Sequence, residues 1–507
     1  MKTLFIAAFT ALAFSAQAQE NILLDQKFWQ GKPGVAALQA EVAKGASPSQ
    51  LNPMSFDAVV MAINNEAPVE SIKYLLAQPG NDVNKLTHDG RNYLHWAASK
   101  GNVEVMEYLL SKGAKVDKED SHGYTPLNFA ANSGQQNTNV YELCLAHGAD
   151  LKKDLTPDGA NALLLAVGQD NNFTVTTYFL SKGLDLKATD ARGNTAFNYA
   201  AKSGNIDILK GLLQRGVAFN DNAMIMASQG TRRTVNTLEV YQYLESLKIK
   251  PTATGNDGEN VLHYIVGKPN QGEIITYFLS KGVDINQADN EGNTPFMRAC
   301  AAGGNTAVLE LLMPKLKDIN QTNKKGVSAL AMAVQGNSPE VVAYLLKNGA
   351  DVQVTDAEGN NLAYYLVQSY REGGRPGPGG PRAQQASGGR QQDDFGVKLQ
   401  LLAEKGLDVA LPQKNGNTLY HLAVVKNDLG LLKRIEKLNI DVNSKNKEGL
   451  TALHRAAMVS HDDKVIKYLL SIGAKKDILT GFDESAYDLA GENESFSKNN
   501  ISLDFLK

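Results

Sequence analysis

Glycine returns along this chain at a nearly constant interval. Gly90, Gly123, Gly159 and Gly193 lie 33, 36 and 34 residues apart. Gly258, Gly292, Gly326 and Gly359 follow at 34, 34 and 33, and Gly416 and Gly449 at 33. A period near 33 means that one supersecondary unit is copied along the chain, each copy burying its apolar side only against its neighbours. The expected fold is a stacked array. Such an array offers a long surface for holding something more readily than a pocket for chemistry.

Residues 90–118 show the unit. After Asn92, the apolar residues Leu94, Ala97 and Ala98 fall at helical spacing, and Gly101-Asn102 breaks that helix. A second helix carries Val105, Met106, Leu109 and Leu110 on one face, and Gly113 ends it where a left-handed residue is needed. At the register two residues beyond the glycine stand Asp57, Asn92, Thr125, Asn161, Thr195, Asn222, Asn260, Thr294, Ser328, Asn361, Thr418, Thr451 and Ser485. All are side chains that can accept a hydrogen bond from the free amides of a first helical turn, worth roughly 1 kcal/mol each. Pro126 and Pro295 sit at the first helical position, where a missing N–H costs nothing. Gly80, Gly113, Gly148, Gly183, Gly216, Gly282, Gly349, Gly406 and Gly473 stop the second helices.

The segments "GYTPLNFAANSG", "GNTPFMRACAAGGN", "GLTALHRAAM" and "VVAYLLKNGADV" resemble the ankyrin repeat, and the resemblance runs over residues 57–490. It implies an all-α fold: an ankyrin-repeat solenoid of helix–turn–helix units with short projecting hairpins. It also implies protein binding, through the hairpin tips and the inner face of the first helix.

The N-terminus adds an address. Lys2, the apolar run 4–14 and Ala16-Gln17-Ala18 follow the charge, core and small-residue order of a secretory signal peptide, so residues 1–18 are expected to be cleaved after Ala18. The run is too short for a bilayer of about 30 Å. An exported, bacterial ankyrin-repeat protein is expected, periplasmic or secreted. Residues 19–52 read as an N-terminal cap, 53–221 as a first block of repeats, 222–256 as an irregular repeat and 257–370 as a second block. Residues 371–394, rich in Gly, Pro and Gln, read as a disordered insertion within a repeat, and Arg375, Arg382 and Arg390 make it a small positive tether. Residues 395–482 resume the repeats and 483–507 form a C-terminal cap that lacks a leucine-paired second helix.

Bulk charge narrows the partners. The formal net charge is −3, from 51 basic and 54 acidic residues. That near-balance argues against nucleic acid, whose phosphates need a concentrated basic excess. Only Cys144 and Cys300 are present, several repeats apart; a bridge needs Cα atoms within about 7 Å, so both are expected to stay unpaired.

No catalytic constellation stands out. His95, His263, His421 and His454 recur once per repeat, too dispersed to converge on one metal ion. The resemblance implies that they brace hairpins instead. Gly31-Lys32 and Gly267-Lys268 run into proline, which a phosphate loop does not do, and "DNEGNTP" at 289–295 only faintly resembles a calcium loop. No catalytic residue, cofactor or metal is therefore assigned.

What remains is a binding surface. Hairpin and first-helix register selects His88, Arg91, Trp96, Lys100, His122, Tyr124, Phe129, Arg192, Tyr199 and Lys202 as partner-contacting candidates, with residues 88–133 the foremost stretch. Aromatic residues and arginine most often anchor interfaces. Core filling competes, because the position after the histidine also packs between repeats. The function expected is a non-enzymatic scaffold, monomeric, without a membrane span, holding an unidentified protein on its concave hairpin and first-helix surface. The alternatives are a small-ligand binder or enzyme with a site in the irregular middle or the insertion, and a secreted effector acting on another cell.

Overall fold

The computed structural model describes residues 21–231, 235–301, 305–370 and 393–507. The expected leader, residues 1–18, and the body of the expected insertion, residues 371–392, lie outside the described residues. Regular structure among the described residues is helical; Thr189 with Thr195 and Thr322 with Ser328 form isolated bridges in the hairpins rather than strands. The chain divides into two compact units, Met1–Ala223 and Met224–Lys507.

In the first unit a cap precedes the repeats. Trp29 is fully buried and its indole N–H donates to the Leu23 carbonyl at 2.8 Å. Helix Val35–Ala43 follows, and the Ser71 hydroxyl donates to the Pro33 carbonyl at 2.7 Å. Then come helix pairs, each named here by the residue that caps its first helix: Asp57, Asn92, Thr125, Asn161 and Thr195. In the Asn92 repeat the helices are Tyr93–Lys100 and Val103–Ser111. Val105, Met106 and Leu109 of the second helix are fully buried. Each such side chain contributes about 1.5–3 kcal/mol relative to exposure.

The second unit contains the repeats capped by Asn260, Thr294, Ser328, Asn361, Thr418, Thr451 and Ser485. Helix Asp394–Glu404 is the second helix of the Asn361 repeat, and the Asp393 carboxylate caps it by accepting the Gly396 amide. The expected insertion therefore gives its last residue, Asp394, to a helix. The Ser485 repeat ends with the short helix Glu494–Lys498, which buries Phe496 where other repeats place a leucine pair.

Capping follows the sequence in eleven of the thirteen positions, where the side chain accepts an amide of the first turn. Thr418 bonds the His421 ring instead. Asn222 is the other exception: it is the first residue of helix Asn222–Gln229, and the Asn220 side chain accepts its amide at 3.0 Å. The terminating glycines all have positive φ. Where the irregular repeat lacks one, Lys248 takes φ 71° after helix Leu238–Ser246.

The hairpin glycine is demanded twice over. Gly292 has φ +85°, and a Cβ there would stand 2.7 Å from the Lys324 amide nitrogen of the next hairpin. That closeness permits a bond between neighbours, Lys324 N–H to Glu291 C=O at 3.0 Å, and the same link joins Ser121 to Asp89 and Ala191 to Asp158. Successive hairpins are thus chained through their backbones.

Candidate binding surface

The hairpins are built on one acceptor. Asp120 Oδ1 takes the amides of His122 and Tyr124, both at 2.9 Å, and Asp190 Oδ1 takes those of Arg192 and Asn194. The second oxygen is held from the first helix. Tyr199 donates its phenol to Asp190 Oδ2 at 2.9 Å, Tyr365 to Asp356 at 2.7 Å, and Arg298 donates Nη2 to Asp289 at 2.8 Å. Trp96 donates its indole N–H to the Thr87 hydroxyl at 2.9 Å in the same register. In each case the donor is the fourth residue of the first helix and the acceptor lies nine residues earlier. In the Asn260 repeat that earlier position is Gly255, and Tyr264 donates to Glu259 instead.

Phe129 occupies the fourth position of the Thr125 repeat and cannot donate. Arg91, from the preceding hairpin, supplies the missing bond: its Nε donates to Asp120 Oδ2 at 2.8 Å, and its Nη1 reaches Asp89 at 3.0 Å. The guanidinium lies 4.2 Å from the Phe129 ring centroid and 5.2 Å from that of Trp96. Arg91 is only 5% exposed and Trp96 only 7%. Trp96 packs edge-on between Phe56 and Phe129, at 5.6 and 5.7 Å. These two residues belong to the inside of the array, where their bonds go to Asp89, Asp120 and Thr87.

His88 stacks on Phe56 at 4.7 Å and donates Nδ1–H to the Met54 carbonyl. His88 and exposed His122 both point Nε2 at Asp89 Oδ2, each at 3.5 Å. Burial would raise the Asp89 carboxyl, but the charges of His88, Arg91 and His122 outweigh it and hold it below the ordinary range. His88, Arg91, Trp96, His122 and Phe129 are therefore brought together around Asp89 and Asp120. Arg192, Tyr199 and Lys202 form a second group. Arg192 pairs with Asp158 at 3.0 Å, and Lys202 lies 5.6 Å from the Tyr199 ring centroid, its ammonium pKa lowered by burial against the pull of Asp158 and Asp190. Half-buried Tyr124 sits between the groups, its phenol raised chiefly by burial. Lys100 is exposed at the end of its helix and joins neither group.

The repeated histidines are structural. His95, His263, His421 and His454 each bond a carbonyl of the following repeat through Nε2, at 2.9 to 3.1 Å. Burial lowers all four imidazoles, His95 to about 4. Lys268, beside Gly267, donates to the Ser228 and Gln229 carbonyls and so caps a helix end. Among the described residues no group of three or more His, Cys, Asp or Glu is placed to hold a metal ion, and no helix is long and apolar enough to cross a membrane.

The Thr451 repeat also lacks the clamp. Arg455 is the fourth residue of helix Ala452–Val459, but the position nine residues earlier is Asn446. The Asn446 Oδ1 accepts the Glu448 and Leu450 amides, and its Nδ2 donates to Asn417. No carboxylate is left for Arg455. Sequence reasoning passed over this residue because arginine at that position is common to the Thr294 repeat. The signal was in the hairpin, where asparagine replaces aspartate.

A family model described as "Ankyrin repeats (3 copies)" matches residues 59–154, 135–223, 223–323, 262–356, 298–372 and 390–480. The chain is 24% identical over 353 residues to the putative ankyrin repeat protein FPV022 of fowlpox virus, covering 58% of this chain and 59% of that one. It is 24% identical over 435 residues to the human transient receptor potential cation channel subfamily A member 1, covering 84% and 31%. It is 32% identical over 162 residues to palmitoyltransferase AKR1 of Lachancea kluyveri, covering 31% and 21%. The chain thus spans from about a fifth to under two thirds of the length of these relatives. With capped helix pairs, hairpins chained through their backbones and family matches over most of its length, the chain belongs to the ankyrin-repeat family.

Proposed function

We propose that this protein is a non-enzymatic scaffold that holds a protein partner on its hairpin and first-helix face. The observation that carries the reading is the hairpin chain itself. Backbone bonds such as Ser121 to Asp89 and Ala191 to Asp158 fix the spacing of the tips, while His122 and Arg192 stand exposed on them. A rigid edge with outward side chains loses little conformational freedom on binding, which favours affinity. In residues 88–133 the contacting groups on this reading are His122, Lys100 and the accessible part of Tyr124; Arg91 and Trp96 act beneath them as support.

Export completes the proposal. Lys2, the apolar run 4–14 and Ala16-Gln17-Ala18 support a cleaved leader and residence in a bacterial periplasm or outside the cell. N-terminal sequencing of the protein from an envelope fraction should begin at Gln19. Cross-linking in intact cells followed by mass spectrometry tests the scaffold reading. A recurrent stoichiometric partner is expected, and its loss on replacing Lys100 and His122 together would assign it to this face. Recovery of no partner by the native protein would count decisively against a scaffold.

A further inference from the structure

The unclamped Arg455 lies within an unusual patch of the second unit. We infer that this patch is a docking site for an acidic protein segment carrying an apolar or aromatic side chain. The inference rests on the scaffold reading and names the partner's chemistry.

Three observations meet here. First, Arg455 is half-buried and its side chain makes no hydrogen bond or ion pair among the described residues; Asn446 stands where the Thr125, Thr195, Thr294 and Asn361 repeats place aspartate. A guanidinium held on a helix with its fork unused is suited to a carboxylate, which it grips through two parallel bonds. Lys445 and Lys447, exposed on the hairpin of the same repeat, likewise have no acid partner, and Glu448 and Asp483 on the neighbouring tips pair with none of the three.

Second, exposed apolar side chains flank Arg455 in the repeat register. Val425, which closes helix Leu419–Val424, and Met458, on helix Ala452–Val459, hold the same seventh position after the caps Thr418 and Thr451 and are 51% and 48% exposed. Phe482 occupies the hairpin tip of the following repeat and is 85% exposed. That tip position is polar or charged in every one of the ten glycine-marked repeats, from Asp89 and His122 to Glu448. A phenylalanine held in water at the tip of the repeat that follows an unpaired arginine brings together two residue types that anchor interfaces.

Third, charge complementarity selects the occupant. Residues 405–484, which span the patch, contain thirteen lysines and arginines against ten acids, in a chain whose formal net charge is −3. The apolar residues favour a protein segment over nucleic acid, whose backbone would leave Val425, Met458 and Phe482 uncovered.

The test uses the full-length chain and a phage library of random dodecapeptides. Selected peptides should be enriched in Glu or Asp beside an apolar or aromatic residue, and selection on the Arg455→Gln, Phe482→Ser double variant should lose that enrichment. Neither side chain makes an internal bond, so the circular dichroism melt of the variant should match that of the wild type. For a synthetic copy of a selected peptide, Arg455→Gln and Phe482→Ser should each weaken binding about tenfold. Lys437→Gln, the same charge change at the end of a second helix, should leave affinity unaltered. Selection of nothing, selection without acids, or undiminished binding by both single variants overturns the site. Displacement of the peptide by single-stranded RNA or by phosphatidylserine vesicles at equal strength overturns it in favour of a general anion surface. If the partner cross-linked in cells is retained fully by Arg455→Gln, the acidic-segment site fails while the scaffold stands. If the wild type captures none, the scaffold itself fails.

Discussion

Tyr199 donates its phenol to Asp190, nine residues earlier, at 2.9 Å, and so ties the start of a helix to the turn that precedes it. Tyr365 with Asp356, Arg298 with Asp289 and Trp96 with Thr87 repeat the same span. The large side chain at this helical position is a strut first. Whatever binding it supports follows from the hairpin it holds in place.

Removing one strut should loosen one hairpin. Tyr199→Phe deletes the bond while Asp190 Oδ2 keeps the Asn194 side-chain amide at 2.8 Å. The expected cost is about 1 kcal/mol in urea unfolding, with faster amide exchange confined to residues near 190–195. Unchanged exchange there would show that the strut carries no strain-bearing role.

Arg91 should behave as a buried ion pair. Arg91→Ala leaves Asp120 Oδ2 inside the array without a cation and uncovers the face of Phe129. A loss of about 3–5 kcal/mol is expected, measured by guanidinium unfolding. Adding Asp120→Asn to that variant should recover part of the loss, because the stranded charge is then gone. A surface residue would show neither effect.

Acid should destabilise the first unit through His95. Burial lowers its imidazole to about 4 in the fold, against about 6.5 unfolded. Between those values the unfolded chain binds a proton that the folded chain refuses, so stability is fully present above about pH 6.5 and is lost as pH falls toward 4. The share of His95 is about 3 kcal/mol at the acid end. Asn occupies the same helical position in the Thr125 and Thr195 repeats, as Asn128 and Asn198. His95→Asn should therefore flatten the fall in melting temperature between about pH 6.5 and pH 4; an undiminished slope would contradict the assignment.

The cysteines should be silent in the native state. Cys144 and Cys300 are free and fully buried, and burial pushes the Cys144 thiol up to about 12 and raises Cys300 as well. Since the thiolate is the reactive form, Ellman's reagent should label neither thiol until denaturant is added, and then both.

Much of this was legible in the sequence. Helix starts are near-neighbour chemistry: an oxygen at Asn92 or Thr451 meets an amide three residues on, whatever surrounds it. Stops are equally local, since the left-handed turn at Gly113 or Gly473 needs no partner. Asn222 escaped the rule because Asn220, two residues earlier, competes for the same role and wins the amide.

The partner face could not be read the same way. Arg91 and His122 are both hairpin residues of the types that anchor interfaces, yet one is buried and the other exposed. Their difference arises between repeats: Phe129 cannot satisfy Asp120, and only stacking brings Arg91 from the previous hairpin to do so. The repeating residues alone determined which segments are helices, where they begin and end, and that each copy leans on the next. Which side chains those contacts consume, and that Arg455 is left over, was decided by tertiary structure, because hydrogen-bond supply is settled among neighbours in space some thirty residues apart in sequence.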